Sequence, residues 1–245
     1  MAPRYVPALA AAAALLGALA LGDTALASHV ERGIAPPGAD ATVAGFPYAA
    51  SALTGRVPRV AVQRIDEDIP GPGVGTVSVE LFNLELADPR AALRGDFVGA
   101  DARVVRRRVR LDGVGIGELL DITDLDMANP YDISPSGGVA SEARLTGTVP
   151  GASEPATAVV TLRLEDGVFH MRPSQLLDVP SGEQDAVLAG FTLDLDTREL
   201  PLDGSADLVQ LNGGSIEFSR DRVNTRVEAA DLEPRAGAST LEQHD

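Results

Sequence analysis

The sequence predicts a β-rich α+β protein, with a curved, predominantly antiparallel sheet around short helices. Apolar and polar residues alternate at period two along several segments, as they do in strands with one buried and one wet face. Turns built on Gly and Pro separate these segments. Beyond Leu21, no long segment carries apolar residues at helical spacing.

Composition sets the kind of core. The chain has 245 residues, 44% of them hydrophobic but only 4% aromatic, with no Trp, so the core must be aliphatic. There are no cysteines, and stability must come from burial and strand ladders. The 20 basic residues are all Arg, which fits the coding bias of a GC-rich genome. A formal net charge of -16 disfavours nucleic acid and a polybasic grip on anionic lipid. No motif requires a cofactor.

The N-terminus reads as an export segment. Arg4 precedes the apolar run Val6 to Leu21, and Ala25-Leu26-Ala27 is a small-x-small peptidase site. Residues 1–27 are therefore a cleaved signal peptide or an uncleaved N-terminal anchor, and both place the domain outside the cytoplasmic membrane. Residues 28–42, with Pro36, Pro37 and Gly38, read as a linker.

A single domain is expected over 43–228. A short helix at Ser51 to Leu53 ends at Gly55, and Arg59 to Ile65 is a strand. After the turn cluster Pro70-Gly71-Pro72-Gly73, Val74 to Leu86 is a long strand. There Val77, Val79 and Leu81 share a face, and the shift to Phe82, Leu84 and Leu86 marks a bulge or a change of buried face. Asp88 and Pro89 open a helical turn through Leu93. A strand is predicted over Asp101 to Leu111 and a short helix over Gly117 to Asp124.

Past the Gly/Pro/Ser segment Ser134 to Gly138, strands are predicted at 139–149, 156–165, 167–171, 187–195, 206–211, 214–219 and 222–228. Phe191, Leu193 and Leu195 alternate with Thr192, Asp194 and Asp196. Val223, Thr225 and Val227 alternate with Asn224, Arg226 and Glu228. Glu165-Asp166-Gly167 and Asn212-Gly213-Gly214 are hairpin signals. From 229 to 245 the chain reads as a disordered polar tail.

Little in the sequence equips the chain for catalysis. His170 is the one histidine of the expected domain. Ser174 lies near it, without the Gly-x-Ser-x-Gly elbow or an orienting third group. Asp121, Asp124 and Asp126 with Asn129 lack the ligand order of a calcium loop, so no metal site is assigned. Arg106, Arg108 and Arg110 share one strand face. At that spacing they could grip a phosphate, or they pair with acids on neighbouring strands.

One ordered set of blocks carries a family resemblance. Gly45-Phe46-Pro47-Tyr48 is followed by Leu53-Thr54-Gly55-Arg56 and the strand Val60-Ala61-Val62. Gly117-Glu118-Leu119-Leu120, Leu145-Thr146-Gly147-Thr148-Val149, the hairpin Glu165 to Pro173 and Leu200-Pro201-Leu202 come later in the same order. This arrangement, over roughly 43 to 228, resembles the LmeA-like phospholipid-binding proteins of actinobacteria. The family's Ala-rich amphipathic helix ahead of the Gly-Phe-Pro block has Pro36-Pro37-Gly38 in its place, which implies a shallower or more open site.

The resemblance implies a fold similar to tubular lipid-binding proteins. It also implies an exported, non-enzymatic phospholipid-binding function that supports envelope and lipoglycan biogenesis. Expected partners are a phospholipid or envelope glycolipid and a membrane surface. The alternative is a lipid-free extracytoplasmic adaptor for a membrane glycosyltransferase. The candidate lipid face is Phe46, Tyr48, Leu53, Val77, Val79, Leu81, Phe191, Leu193 and Leu195, with Arg106, Arg108 and Arg110 for the headgroup. Acyl chains leave water at about 0.8 kcal/mol per CH2, so a carrier needs an apolar surface of this kind.

Overall fold

A computed structural model of the chain describes residues 6–131 and 139–234. It is strand-rich, with antiparallel sheets, one strongly curled half-barrel and a few short helices. The elements are α1 (Val6–Ile34), β1 (Asp40–Ala44), α2 (Ala49–Thr54), β2 (Arg56–Ile69), β3 (Gly73–Glu85), α3 (Ala91–Arg94), β4 (Asp101–Leu111), α4 (Gly113–Leu120), β5 (Asp126–Ala128) and β6 (Val139–Ala140). They continue with β7 (Glu142–Gly147), β8 (Ala156–Glu165), β9 (Val168–Asp178), α5 (Gln184–Gly190), β10 (Leu193–Asp196), β11 (Leu208–Asn212) and β12 (Ser215–Arg226).

One sheet has the order β1-β2-β3-β4-β12-β11-β6, and the other β10-β9-β8-β7-β5. Where the sequence reading gives one body over 43–228, the chain divides into two compact units. The division falls within each of β2, β3, β4 and β12, so no linker composition marks it.

Unit 1 comprises residues up to 62, 79–105 and 222–233. Its core gathers Val30, Tyr48, Val57, Val60, Val79, Leu81, Leu84, Phe97, Val105 and Val227. The expected linker is largely structured: 28–34 continue α1, and β1 begins at Asp40. Its residues are short and mixed in polarity, yet Val30 is only 2% exposed. A helix therefore does precede the Gly-Phe-Pro block, and the Pro36-Pro37-Gly38 segment follows it.

Asp23, on α1, joins that helix to α2. Its carboxylate is buried and accepts the backbone N–H of Tyr48 at 2.7 Å and of Ala49 at 2.8 Å. These are the first donors of α2, which has no side-chain cap of its own. A carboxylate there satisfies orphan N–H groups and complements the helix dipole. At the far end of α2, Gly55 adopts a left-handed conformation (φ 70°) and returns its N–H to the Ser51 carbonyl. A side chain at Gly55 would meet the Leu86 carbonyl at 2.9 Å.

Unit 2 comprises 63–78 and 106–221 among the described residues. Its core is larger and also aliphatic, with Phe169 and Phe218 meeting edge to face at 5.0 Å. The two predicted hairpins form tight two-residue turns. In one, Glu165 pairs with Val168 around Asp166 (φ 52°) and Gly167 (φ 83°). In the other, Asn212 pairs with Ser215 around Gly213 and Gly214. Positive φ at both central residues gives the turn whose twist suits a hairpin.

Several predicted elements change. The helix expected at Gly117 to Asp124 is α4, four residues earlier, because Asp112 caps it by accepting the N–H groups of Val114 and Gly115. The strand expected at 187–195 is α5 followed by β10, with Val187 buried beneath the helix. The two strands expected at 214–219 and 222–228 form one strand, β12. Asn224 sits at φ 49°, and Val223 is 63% exposed while Val227 is buried, so the alternation predicted there is broken. The tail begins later than 229, because Ala229–Leu232 form a 3-10 turn whose Asp231 is buried against Arg222. The predicted segment Ser134 to Gly138 and residues 235–245 lie outside the described residues.

Replacing Asp23 with Ala is expected to destabilise the protein by about 2 kcal/mol, the scale of a lost charge-assisted cap. The midpoint of denaturant unfolding measures this. An unchanged midpoint contradicts the role given to Asp23.

Candidate functional site

The nine residues of the candidate lipid face do not gather on one surface. Tyr48, Val79 and Leu81 belong to the unit 1 core, and Val77, Phe191 and Leu195 to the unit 2 core, with Leu193 packed partly exposed against it. All but Leu193 are buried. Phe46 and Leu53 stand apart: in unit 1, Phe46 precedes α2 and Leu53 lies in its last turn, and they are 77% and 83% exposed.

This split has a local cause. Gly45, Phe46 and Pro47 lead into α2, and Tyr48 is the residue that turns inward. Its hydroxyl donates to the Ala92 carbonyl at 2.7 Å, fixing α2 against α3. Burial, and then the nearby Glu31 carboxylate, push the Tyr48 phenol up to about 12. With Tyr48 anchored, Phe46 and Leu53 are left in water on either side. Two bulky apolar side chains so exposed, two residues before and five after a fully buried Tyr, form an apolar rim around α2.

The arginines of β4 are engaged. Arg106 makes a two-pronged pair with Asp221, with Nε at 2.6 Å and Nη2 at 2.5 Å from its oxygens. Glu217 is buried, and Arg108 (3.6 Å) and Arg110 (3.2 Å) both reach it. Gln210 and Asn212 donate to the same carboxylate. Of the two readings open for these arginines, the pairs with acids on a neighbouring strand are observed. A phosphate at this face must displace the carboxylates already there, and parting a buried carboxylate from its cations is costly.

The residues weighed for chemistry are likewise committed. His170 Nδ1 lies 2.5 Å from Asp194, which Arg172 also reaches at 2.5 Å. The His170 and Arg172 contacts hold the Asp194 carboxyl below its ordinary range. The Ser174 hydroxyl donates to the Val159 carbonyl, at the point where a register shift accommodates Pro173 in β9. Four residues along a strand is about 13 Å, far beyond hydrogen-bond reach of His170.

Asp121, Asp124 and Asn129 serve local structure. Asp124 accepts both the N–H and the hydroxyl of Thr148 at 2.8 Å, which lowers its pKa. Asp121 ends α4 in a left-handed conformation, and Asn129 accepts the Tyr131 N–H. Among the described residues, no cluster of three His, Cys, Asp or Glu is placed to hold a metal ion.

Two open depressions are lined chiefly by polar side chains. One, of about 560 Å³ in unit 1, is bounded by Asn83, Glu85, Asp101, Ala102, Arg103 and Asn224. The other, in unit 2, is bounded by Thr161, Arg163, Glu165, His170 and Arg172. Neither offers the apolar wall an acyl chain needs. Among the described residues, the two cores hold most of the apolar side chains; Phe46 and Leu53 are the most exposed of the large ones, and others, such as Ile65, Val98, Val114 and Val223, are scattered over the surface.

These features define a strand-rich protein with aliphatic cores on antiparallel strands and polar side chains that largely pair with one another. The chain matches the family model described as LmeA-like phospholipid-binding over residues 13–219. That is most of its length, and the chain belongs to this family. Neither a curated protein nor a solved structure matches it.

The raised Tyr48 pKa gives a pH dependence with a definite sign. The buried phenol stays protonated to about 12, whereas the unfolded chain ionises it from about 10. The stability it contributes is fully present below pH 10 and is lost as pH rises through 12. Tyr48→Phe is expected to cost about 1 kcal/mol at neutral pH for the lost hydrogen bond and to flatten the stability curve between pH 10 and 12. Urea unfolding across that range tests this, and a Tyr48→Phe curve parallel to the wild type is the contrary result.

Proposed function

We propose that the chain is an exported, non-enzymatic phospholipid-binding protein of the cell envelope that supports lipoglycan biogenesis. Membership of a phospholipid-binding family over residues 13–219 carries this reading. The physical chemistry agrees with it. Acyl chains are held by apolar surface, which this chain presents as aliphatic strands, and His170, Ser174 and Asp194 are each engaged in structural hydrogen bonds.

The first contact with lipid falls to Phe46 and Leu53. Moving a fully exposed Phe or Leu into an apolar phase recovers about 1.5–3 kcal/mol each, enough for roughly tenfold or more in affinity per residue. Leu193, half-exposed on β10 beside the unit 2 core, is the candidate point where a chain enters the curled sheet. The net charge of -16 opposes anionic surfaces, so contact is strongest with zwitterionic lipid and improves with salt on anionic lipid. The exposed rim at Phe46 and Leu53 also favours a second reading, an adaptor that docks on a membrane glycosyltransferase through that rim and carries no lipid.

Uptake of fluorescent phospholipid from zwitterionic vesicles by the purified protein tests the function. Wild type is expected to take up lipid. Leu53→Asp is expected to lower vesicle association about tenfold with an unchanged melting midpoint, and Leu193→Asp to abolish retention in a protein that still folds. Wild-type protein that takes up nothing sinks the lipid reading, and uptake that survives both substitutions removes these residues from the site.

A further inference from the structure

The triplet Ala25-Leu26-Ala27 lies inside the packed part of α1. Leu26, Ala27 and Ile34 pack against the unit 1 core, and Val30 is part of it. A side chain at Gly95 would collide with Ile34 at 2.5 Å, so the helix and the loop after α3 fit closely. Two carboxylates of α1 hold backbone donors elsewhere in the unit. Asp23 takes those of Tyr48 and Ala49, and Glu31 takes that of Val43 at 3.0 Å. A cut after Ala27 removes Asp23 and leaves the Tyr48 N–H buried without its acceptor, the costly side of hydrogen bonding.

Upstream of Asp23, the side chains described from Leu16 to Gly22 are exposed or half-exposed. Leu16, Leu19 and Leu21 are 66%, 61% and 74% exposed. Ala18 and Gly22 are exposed too, and a side chain added at Gly17 or Gly22 would meet nothing within 4 Å. The border between bare and packed helix thus falls between Gly22 and Asp23. A second small-x-small triplet, Ala18-Leu19-Ala20, sits on the bare side. The run from Ala8 to Gly17 ahead of it falls within the roughly 7–15 residues of a signal's apolar region, with Arg4 in front. Helical turns without packing are marginal in water, so this stretch readily opens into the extended form a peptidase reads. The segment from Leu21 to Ala27, which a cut before Ser28 discards, lies within the family match over 13–219.

We propose that signal peptidase cuts the Ala20–Leu21 bond, so that the mature chain begins at Leu21 and keeps Asp23 to Ile34 as its first helix. The step is a hydrolysis. One water adds across the amide, Ala20 departs with the new carboxylate, and Leu21 retains the new ammonium. The proposal rests on the export reading but is independent of lipid binding. It converts the N-terminal half of α1 into a disposable leader and the remainder into a part of unit 1.

The test is to export the full chain, with a C-terminal tag, from an actinobacterial host and to determine its N-terminus by sequencing and intact mass. The expected N-terminus is Leu21. Ala20→Leu is expected to stop the cut at this bond, and Ala27→Leu to leave the N-terminus at Leu21. A mature chain that starts at Ser28, or one whose processing is blocked by Ala27→Leu and indifferent to Ala20→Leu, overturns the assigned site while leaving export intact. A chain recovered from the envelope with Arg4 still attached overturns the site and makes the segment an uncleaved anchor.

Discussion

Burial of aliphatic side chains on antiparallel strands is the interaction that everything else in this protein depends on. No cysteine is present to tie the chain, and the few aromatic rings include no Trp. Each unit therefore closes around Val, Leu, Ile and Ala from strands, with single rings such as Tyr48 and Phe97 in one core and Phe169, Phe191 and Phe218 in the other. Close packing makes every such residue sensitive to a change of volume. It also leaves the polar groups with one structural duty, to satisfy one another at the margin of the cores.

That duty explains the pairing of charge. Glu80, Glu217 and Asp231 are buried carboxylates, and each is met by arginine: Arg59, then Arg108 and Arg110, then Arg222. Arg suits this role because its planar fork serves two oxygens and never loses its charge. With acids in excess across the whole chain, the arginines of β4 serve as internal counter-ions. On the proposed reading, lipid recognition is then left to apolar contact.

Much of the fold was legible because strands announce themselves locally. β4 and β8 lie where period-two patterning puts them, and the hairpins at Asp166-Gly167 and Gly213-Gly214 follow from turn chemistry. Helix α4 begins four residues before the predicted span because Asp112 caps it, a signal present in the sequence. Helix α5 reads as strand because Val187, Phe191, Leu193 and Leu195 suit either period once the run is short. The bond from Asp23 to Tyr48 spans 25 residues and has no sequence signature. For that reason the helical stretch 28–34 passed for linker. The site was less legible still: alternation says which residues share a strand face, and it cannot say that Tyr48 turns inward while Phe46 and Leu53 stay in water. The two cores, interleaved along the chain, scattered a face that looked continuous in the sequence.

The most direct test of this account is the lipid content of the protein as the cell makes it. The full chain, exported from an actinobacterial host and purified without detergent, is extracted and its lipids are quantified by mass spectrometry against protein. The account predicts a stoichiometric phospholipid that travels with the folded protein. Protein that arrives lipid-free, and stays so when incubated with phospholipid vesicles, contradicts it and leaves the exposed rim around α2 as a surface for another protein.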